Sequence, residues 1–205
     1  MGKIKKDLSV NVSLCCNWWD CLQGFSGIRP FRGKKLLVDG QVFIDPSAVI
    51  IGDVFIGDKS SVWPNAVIRG DFASIKIGKY TAIQESVVIH SGVRPINDEF
   101  KPTPVTIGDY CIIGHGAIVH CSEIGSYTLV GMNAVLGQGA RIGEGCIIGM
   151  GSIVPEDKVI PPKSLVVGVG QIIRTFDNKI YENVKRNAEF YSRLAQECLP
   201  LFKPI

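Results

Sequence analysis

The chain has 205 residues, enough for one sizeable core, and 46% of them are hydrophobic. A formal net charge of +3, with Lys and Arg scattered apart from Lys3, Lys5, Lys6 and Arg29, Arg32, Lys34, Lys35, argues against nucleic acid as a partner. Seven cysteines without a CxxC pair indicate free thiols in a reducing compartment, and no apolar run approaches the roughly 20 residues that span a bilayer.

Residues 1–36 read as a leader or N-terminal extension. Up to residue 35 the segment is basic, with Asp7 and Asp20 as its only acids, and it lacks the layout of a secretory signal. Met1-Gly2 does not open a myristoylation motif, because Lys6 stands where Ser or Thr is required.

From residue 44 aliphatic side chains recur every six positions: Ile44, Ile50, Ile56, Val62, Ile68, then Ile77, Ile83, Ile89, then Ile107, Ile113, Val119. After one five-residue step they resume as Ile124, Val130, Leu136, Ile142, Ile148, Val154, Ile160 and Val166. A helix of 3.6 residues per turn cannot hold one face at that period, whereas short strands joined by regular corners can. Gly follows the aliphatic residue at many corners, as in Ile77-Gly78, Ile113-Gly114 and Val130-Gly131, where positive φ and close packing are both at a premium. Three hexads make one triangular coil, so residues 37–172 form a parallel β-helix of about six coils, each burying its inward aliphatics against the next.

The rhythm breaks around Asp71 to Ser74, where three residues are extra, and again at 92–104, whose three prolines and mixed charges predict a protruding loop. Residues 173–205 form the last unit. Within it Thr175 to Cys198 reads as a helix, with Tyr181, Val184, Ala188, Tyr191, Ala195 and Cys198 as one apolar stripe that packs back on the β-helix.

The chain has only three histidines, His90, His115 and His120, all within 31 residues. Counting hexads without the insertions, Arg69, His90 and His120 each follow an inward aliphatic in the same slot, three hexads apart. They therefore stack on one face, separated by roughly 4.8 Å per coil. His115, two places after Ile113, and Gln84, after Ile83, belong to the preceding face. His90 and His120 can bind one metal as vertical neighbours while His115 points around a corner. A threefold trimer closes the site, because the His90/His120 face of one subunit can meet the His115/Gln84 face of the next. A monomer would then hold an incomplete site. Three neutral imidazoles are the ligand set of a catalytic Zn2+ centre, and Fe2+ or Co2+ use the same ligands.

The segments Val-Ile-Arg-Gly-Asp71, Ile-Gln84, Val-Ile-His90, Ile-Gly-His-Gly-Ala-Ile-Val-His120 and Leu-Val-Gly-Met132 resemble the γ-class carbonic anhydrases over residues 37–198. The resemblance implies a left-handed β-helix with a C-terminal α-helix, a zinc site shared across a trimer interface, and reversible hydration of carbon dioxide to bicarbonate. It also implies Arg69 and Asp71 as the interfacial ion pair that orders the site, Gln84 as the polar residue beside the reacting solvent, and Tyr191 as a helix residue reaching the site. Phe72 stands where the most active archaeal-type members carry a glutamate, which leaves Glu85, Asp98 and Glu99 as candidate proton carriers. Cys21-Leu-Gln-Gly24 is similar to a region of mitochondrial γ-type subunits attached to respiratory complex I. That similarity implies a mitochondrial protein on the matrix side of the inner membrane, with Trp18, Trp19 and Phe25 facing a membrane-complex partner; a cytoplasmic enzyme is the alternative. The trimer can be of identical or merely similar chains. A structural complex I subunit and an acyltransferase, which would use one histidine as base beside an acyl-coenzyme A, are the competing functions on this fold.

Overall fold

The computed structural model describes residues 27–97, 99–120 and 122–198. The leader residues Trp18, Trp19, Cys21 and Phe25 and the candidate proton carrier Asp98 lie outside them. The described chain is a left-handed parallel β-solenoid of about eight turns with one C-terminal helix. The hexad count from Ile44 to Val166 predicts only six turns. The difference arises at the ends and is a matter of pairing without pattern: Ile28–Arg29 and Leu37–Val38 already run parallel to Val49–Ile56, outside the repeating signature.

Three faces stack coil on coil. On the first, Ile44, Val62, Ile83, Ile113, Val130, Ile148 and Val166 pair in succession, and on the second Ile50, Ile68, Ile89, Val119, Leu136 and Val154 do the same. The third carries Val38, Ile56, Ile77, Ile107, Ile124, Ile142 and Ile160. Nearly all of these side chains are fully buried, and together with the corner residues Ala48, Ala66, Val87, Ala117, Ala134 and Ala140 they form one continuous core. Burial of each branched aliphatic stabilises the coil by about 1.5–3 kcal/mol, so the ladder is the main source of stability.

The corner glycines turn out to serve close packing rather than positive φ. A Cβ on Gly131 would lie 2.5 Å from the backbone nitrogen of Met150 in the next coil. The left-handed conformation falls two residues further on and is often taken by a side chain, as at Tyr80, Tyr110 and Tyr127. These three rings stack as a ladder, with centroids 4.9 and 5.2 Å apart and planes within 5° of parallel.

The insertion at 71–74 does not break its strand, which runs unbroken from Val67 to Ile77 and bulges opposite Gly52 and Val54. The segment 92–104 leaves the coil as an antiparallel hairpin, Gly92–Ile96 against Glu99–Thr103. Arg94 ties it to the solenoid by donating to Asp157 Oδ1 and to the carbonyl of Gln138, both at 2.7 Å.

The helix spans Lys179–Cys198, four residues shorter at its start than the stripe predicts. Gln171–Thr175 is drawn off as an antiparallel strand on Ser164–Val167, and Asp177 caps the helix by accepting the Lys179 N–H at 3.0 Å. The helix packs on the first face, against Ser61–Val62, Ala82–Ile83 and Ile112–Ile113. Its buried line is Ile180, Val184, Ala188, Ser192 and Ala195, so Tyr181 and Tyr191 flank the line.

Because Ile113 is fully buried in the middle of its ladder, Ile113→Ala is expected to lower unfolding free energy by about 2–5 kcal/mol, read from urea denaturation midpoints.

Candidate metal centre

Arg69 and His90 are direct partners in the strand register, and His120 follows Val119, which pairs with Ile89. The three side chains form one vertical column on the second face. The imidazoles of His90 and His120 are adjacent, with ring centroids 5.2 Å apart and planes tilted by 45°.

The bulge at 71–74 determines what surrounds this column. It carries Asp71 back beside His90, so that Arg69 Nη1 donates to Asp71 Oδ2 at 2.7 Å while Asp71 Oδ1 lies 3.1 Å from His90 Nε2. Arg69 Nη2 sits 3.5 Å from His90 Nδ1. The exposed Phe72 ring packs on both neighbours, 5.5 Å from the His90 ring and 5.9 Å from the Arg69 guanidinium. Since Arg69 can only donate and Asp71 accepts, the proton belongs on His90 Nε2. In the single chain the ring must therefore turn, or Asp71 must swing away, before Nε2 can bind a metal.

Electrostatics disfavour the charged form of both imidazoles. Burial lowers the pKa of His90 below 6.5, and the Arg69 charge adds to this against the opposing pull of Asp71. Burial, then the neighbouring His90, lowers that of His120 in the same way. For Asp71 burial works upward, yet the His90 hydrogen bond and the Arg69 charge hold the carboxyl below its usual 3.8.

His115 lies elsewhere, on the corner between the first and second faces. Its backbone N–H donates to Gln84 Oε1 at 3.1 Å, and its Nδ1 lies 2.5 Å from Glu85 Oε2. Gln84 is buried and uses its carbonyl on His115, and its amide NH2 has no hydrogen-bond partner among the described residues. Tyr191 is placed away from the column, edge-on to Trp63 at 6.2 Å in an aromatic cluster with Phe43. Glu99 stands exposed on the hairpin. Among the described residues no three His, Cys, Asp or Glu side chains come together closely enough to hold a metal ion within one chain. Cys111 is no substitute ligand, for burial pushes its thiol up to about 12.

Sequence reasoning missed three contacts: the bond between Asp71 and His90, the bond between Glu85 and His115, and the packing of Gly92 against His120, where an added Cβ would meet the ring at 2.9 Å. Only the second leaves a sequence signal, since Glu85 and His115 each stand two places after an inward isoleucine.

A triangular solenoid of hexads with its histidines divided between a flat face and a corner defines a hexapeptide-repeat protein. The chain belongs to the γ-class carbonic anhydrases and to the family whose model, described as dynactin subunit 5, matches residues 35–188. It is 52% identical over 161 residues to a protein of Methanocaldococcus jannaschii named "Probable carbonic anhydrase", covering 78% of this chain and 96% of that one. With Gamma carbonic anhydrase 2, mitochondrial, of Arabidopsis thaliana it shares 42% identity over 99 residues, 48% of this chain and 35% of the plant protein. Among solved structures, a hexapeptide transferase family protein from Anaplasma phagocytophilum superposes with a TM-score of 0.73 and 30% identity, covering 83% of this chain and 96% of that one.

The pKa directions set a pH dependence for the metal-free chain. His90 and His120 are lowered from 6.5, so the folded state binds fewer protons than the unfolded one once the pH falls below that value; Asp71, lowered from 3.8, contributes stability that is lost as pH falls through its folded value. Denaturation midpoints are expected to be level from neutrality up to the ordinary thiol value of 9.0, to decline above it because buried Cys111 and Cys146 keep protons that the unfolded chain releases, to decline below pH 6.5, and to fall again below 3.8. Asp71→Asn should remove part of the decline below 3.8 and leave the onset of the decline below 6.5 in place.

Proposed function

We propose that the chain is a Zn2+-dependent carbonic anhydrase that works as a trimer, each site taking His90 and His120 from one subunit and His115 from the next. The observation that carries this reading is the adjacency of two neutral imidazoles on a flat face, with the third histidine exposed at a corner one face away. The donor set fits a divalent ion that prefers nitrogen ligands, and Fe2+ or Co2+ would fit the same donors. Zinc held by three neutral imidazoles supplies Lewis acidity, making water a nucleophile towards carbon dioxide near neutral pH.

The chain's own residues account for the rest. Arg69 and Asp71 hold the metal-free His90 in the column, its Nε2 becoming available to a metal once the ring turns or Asp71 swings away, and their mutual bond neutralises two charges next to the substrate path. The Gln84 amide, anchored through its carbonyl, is the donor that orients solvent or bicarbonate. Tyr191, held by Trp63 on the same face, belongs to the wall of that path. Proton export falls to Glu85, Glu99 or Asp98, and Phe72 offers no carboxylate, so turnover is slow.

Surface chemistry supports the trimer. Ile118, Val135 and Ile153 stack outward on the histidine face, and Met132 and Met150 continue the corner above His115, all of them exposed in the single chain. A second copy laid corner to face would bury both apolar columns while bringing the third histidine to the pair. Identical chains or closely similar ones satisfy this geometry.

The likeness to a plant protein named as mitochondrial favours a mitochondrial setting, and the Cys21-Leu-Gln-Gly24 resemblance favours a second reading, in which the chain is a subunit of respiratory complex I with weak or no activity, on the matrix side of the inner membrane. The N-terminal extension would meet the membrane complex. A cytoplasmic carbonic anhydrase is the other setting. An acyltransferase function draws only on shared fold with the transferase relatives, since it needs one histidine rather than three in register.

Mixing variants tests the shared site. His115→Ala and His120→Ala are each expected to lose metal and carbon dioxide hydration while remaining trimeric. Trimers refolded from an equal mixture should regain about a quarter of the wild-type metal content and activity, because each junction is intact only when an intact pair meets an intact His115. No recovery in metal-competent mixed trimers would place all ligands in one chain and sink the reading.

A further inference from the structure

His115 is held at two points by consecutive residues of the coil beneath it. Gln84 Oε1 accepts its backbone N–H at 3.1 Å, and Glu85 Oε2 lies 2.5 Å from its ring Nδ1. The coils are locked at this corner, because Gly116 donates its N–H to the Glu85 carbonyl at 2.9 Å. A carboxylate can only accept, so the neutral ring carries its proton on Nδ1 and presents the lone pair of Nε2. Nothing in the chain hydrogen-bonds to Nε2 among the described residues, and the ring is about half exposed.

His90 is treated in the opposite sense, with Asp71 on Nε2 and Arg69 beside Nδ1. Of the two, His115 is therefore the one already set in a donor geometry before assembly. We propose that Glu85 is a positioning residue that fixes the tautomer and direction of His115, so that Nε2 is offered across the subunit boundary as a metal ligand. This role rests on the shared-site reading above and assigns Glu85 to ligand orientation rather than to proton export. Outer carboxylates of this kind raise ligand basicity and restrict ring rotation.

Two measurements on the full chain decide it. In the metal-free protein, long-range 15N NMR of the imidazoles should show His115 protonated on Nδ1, with that preference lost in Glu85→Ala and largely kept in Glu85→Gln, whose amide oxygen can still accept. Zn2+ affinity, read by competition with a chromophoric chelator, should fall about 10- to 100-fold in Glu85→Ala, less in Glu85→Gln, with the trimer intact. His115→Ala serves as the control. If it loses zinc while Glu85→Ala binds like the wild type, or if the His115 tautomer is the same with and without Glu85, the positioning role is overturned and the shared site stands. If His115→Ala binds zinc as tightly as the wild type, the shared site and the role of Glu85 fall together.

Discussion

Each coil is held on the next by a ladder of inward branched aliphatics, and the whole molecule depends on the register of that ladder. Ile83 over Val62 and under Ile113, Ile89 over Ile68 and under Val119, are fully buried contacts that a slip of a single residue would turn outward. Such a slip would expose aliphatic side chains on every face and bury the polar residues between them. The same register fixes what lies one position further along, so the stability of the core and the alignment of Arg69, His90 and His120 are one property. Corner glycines enforce it from the outside: a side chain at Gly131 would collide with the next backbone, so the coils can approach only in one way.

Much of this was legible before any coordinates. A period of six and a count of insertions place His90 and His120 on one face and His115 on another, because the period specifies direction as well as burial. Departures occur wherever structure is decided by something other than period. The bulge at 71–74 has no repeat to follow, so the approach of Asp71 to His90 could not be read from spacing. Tyr80, Tyr110 and Tyr127 adopt the left-handed conformation without being glycine, since the stacked rings and the neighbouring corners hold them there. On the helix, spacings of three and four fit two adjacent lines equally well. Packing selected the one through Ile180 and Ser192, and strand pairing removed Thr175 from the helix altogether.

The polar groups divide into those that complete the single chain and those left open by it. Asp71 answers Arg69 and His90, Asp157 answers Arg94, and Asp177 answers the helix terminus; each removes a cost that the isolated chain would otherwise carry. The Gln84 amide, the Nε2 of His115 and the outward Ile118, Val135 and Ile153 have no such answer among the described residues. They cluster on either side of one corner, which is where a neighbouring copy would have to come.

Geometry favours the proposed placement of a metal centre across that boundary. A flat face of a parallel β-helix offers one side chain per coil in a given slot, in a straight column with a rise of roughly 4.8 Å. A tetrahedral zinc centre needs nitrogens about 3.4 Å apart, given metal to nitrogen bonds near 2.1 Å. Two adjacent rings, with centroids 5.2 Å apart as in His90 and His120, lie close enough for their nitrogens to reach that separation if the rings turn towards each other. A third residue in the column is two coils from one of them, roughly 10 Å away, and it approaches along the same line rather than from a new direction. The slot below His90 is in any case filled by Arg69, which repels a cation. A third ligand for the proposed centre would therefore have to come from a surface set at an angle to the first, which is what the corner carrying His115 on a second copy would offer.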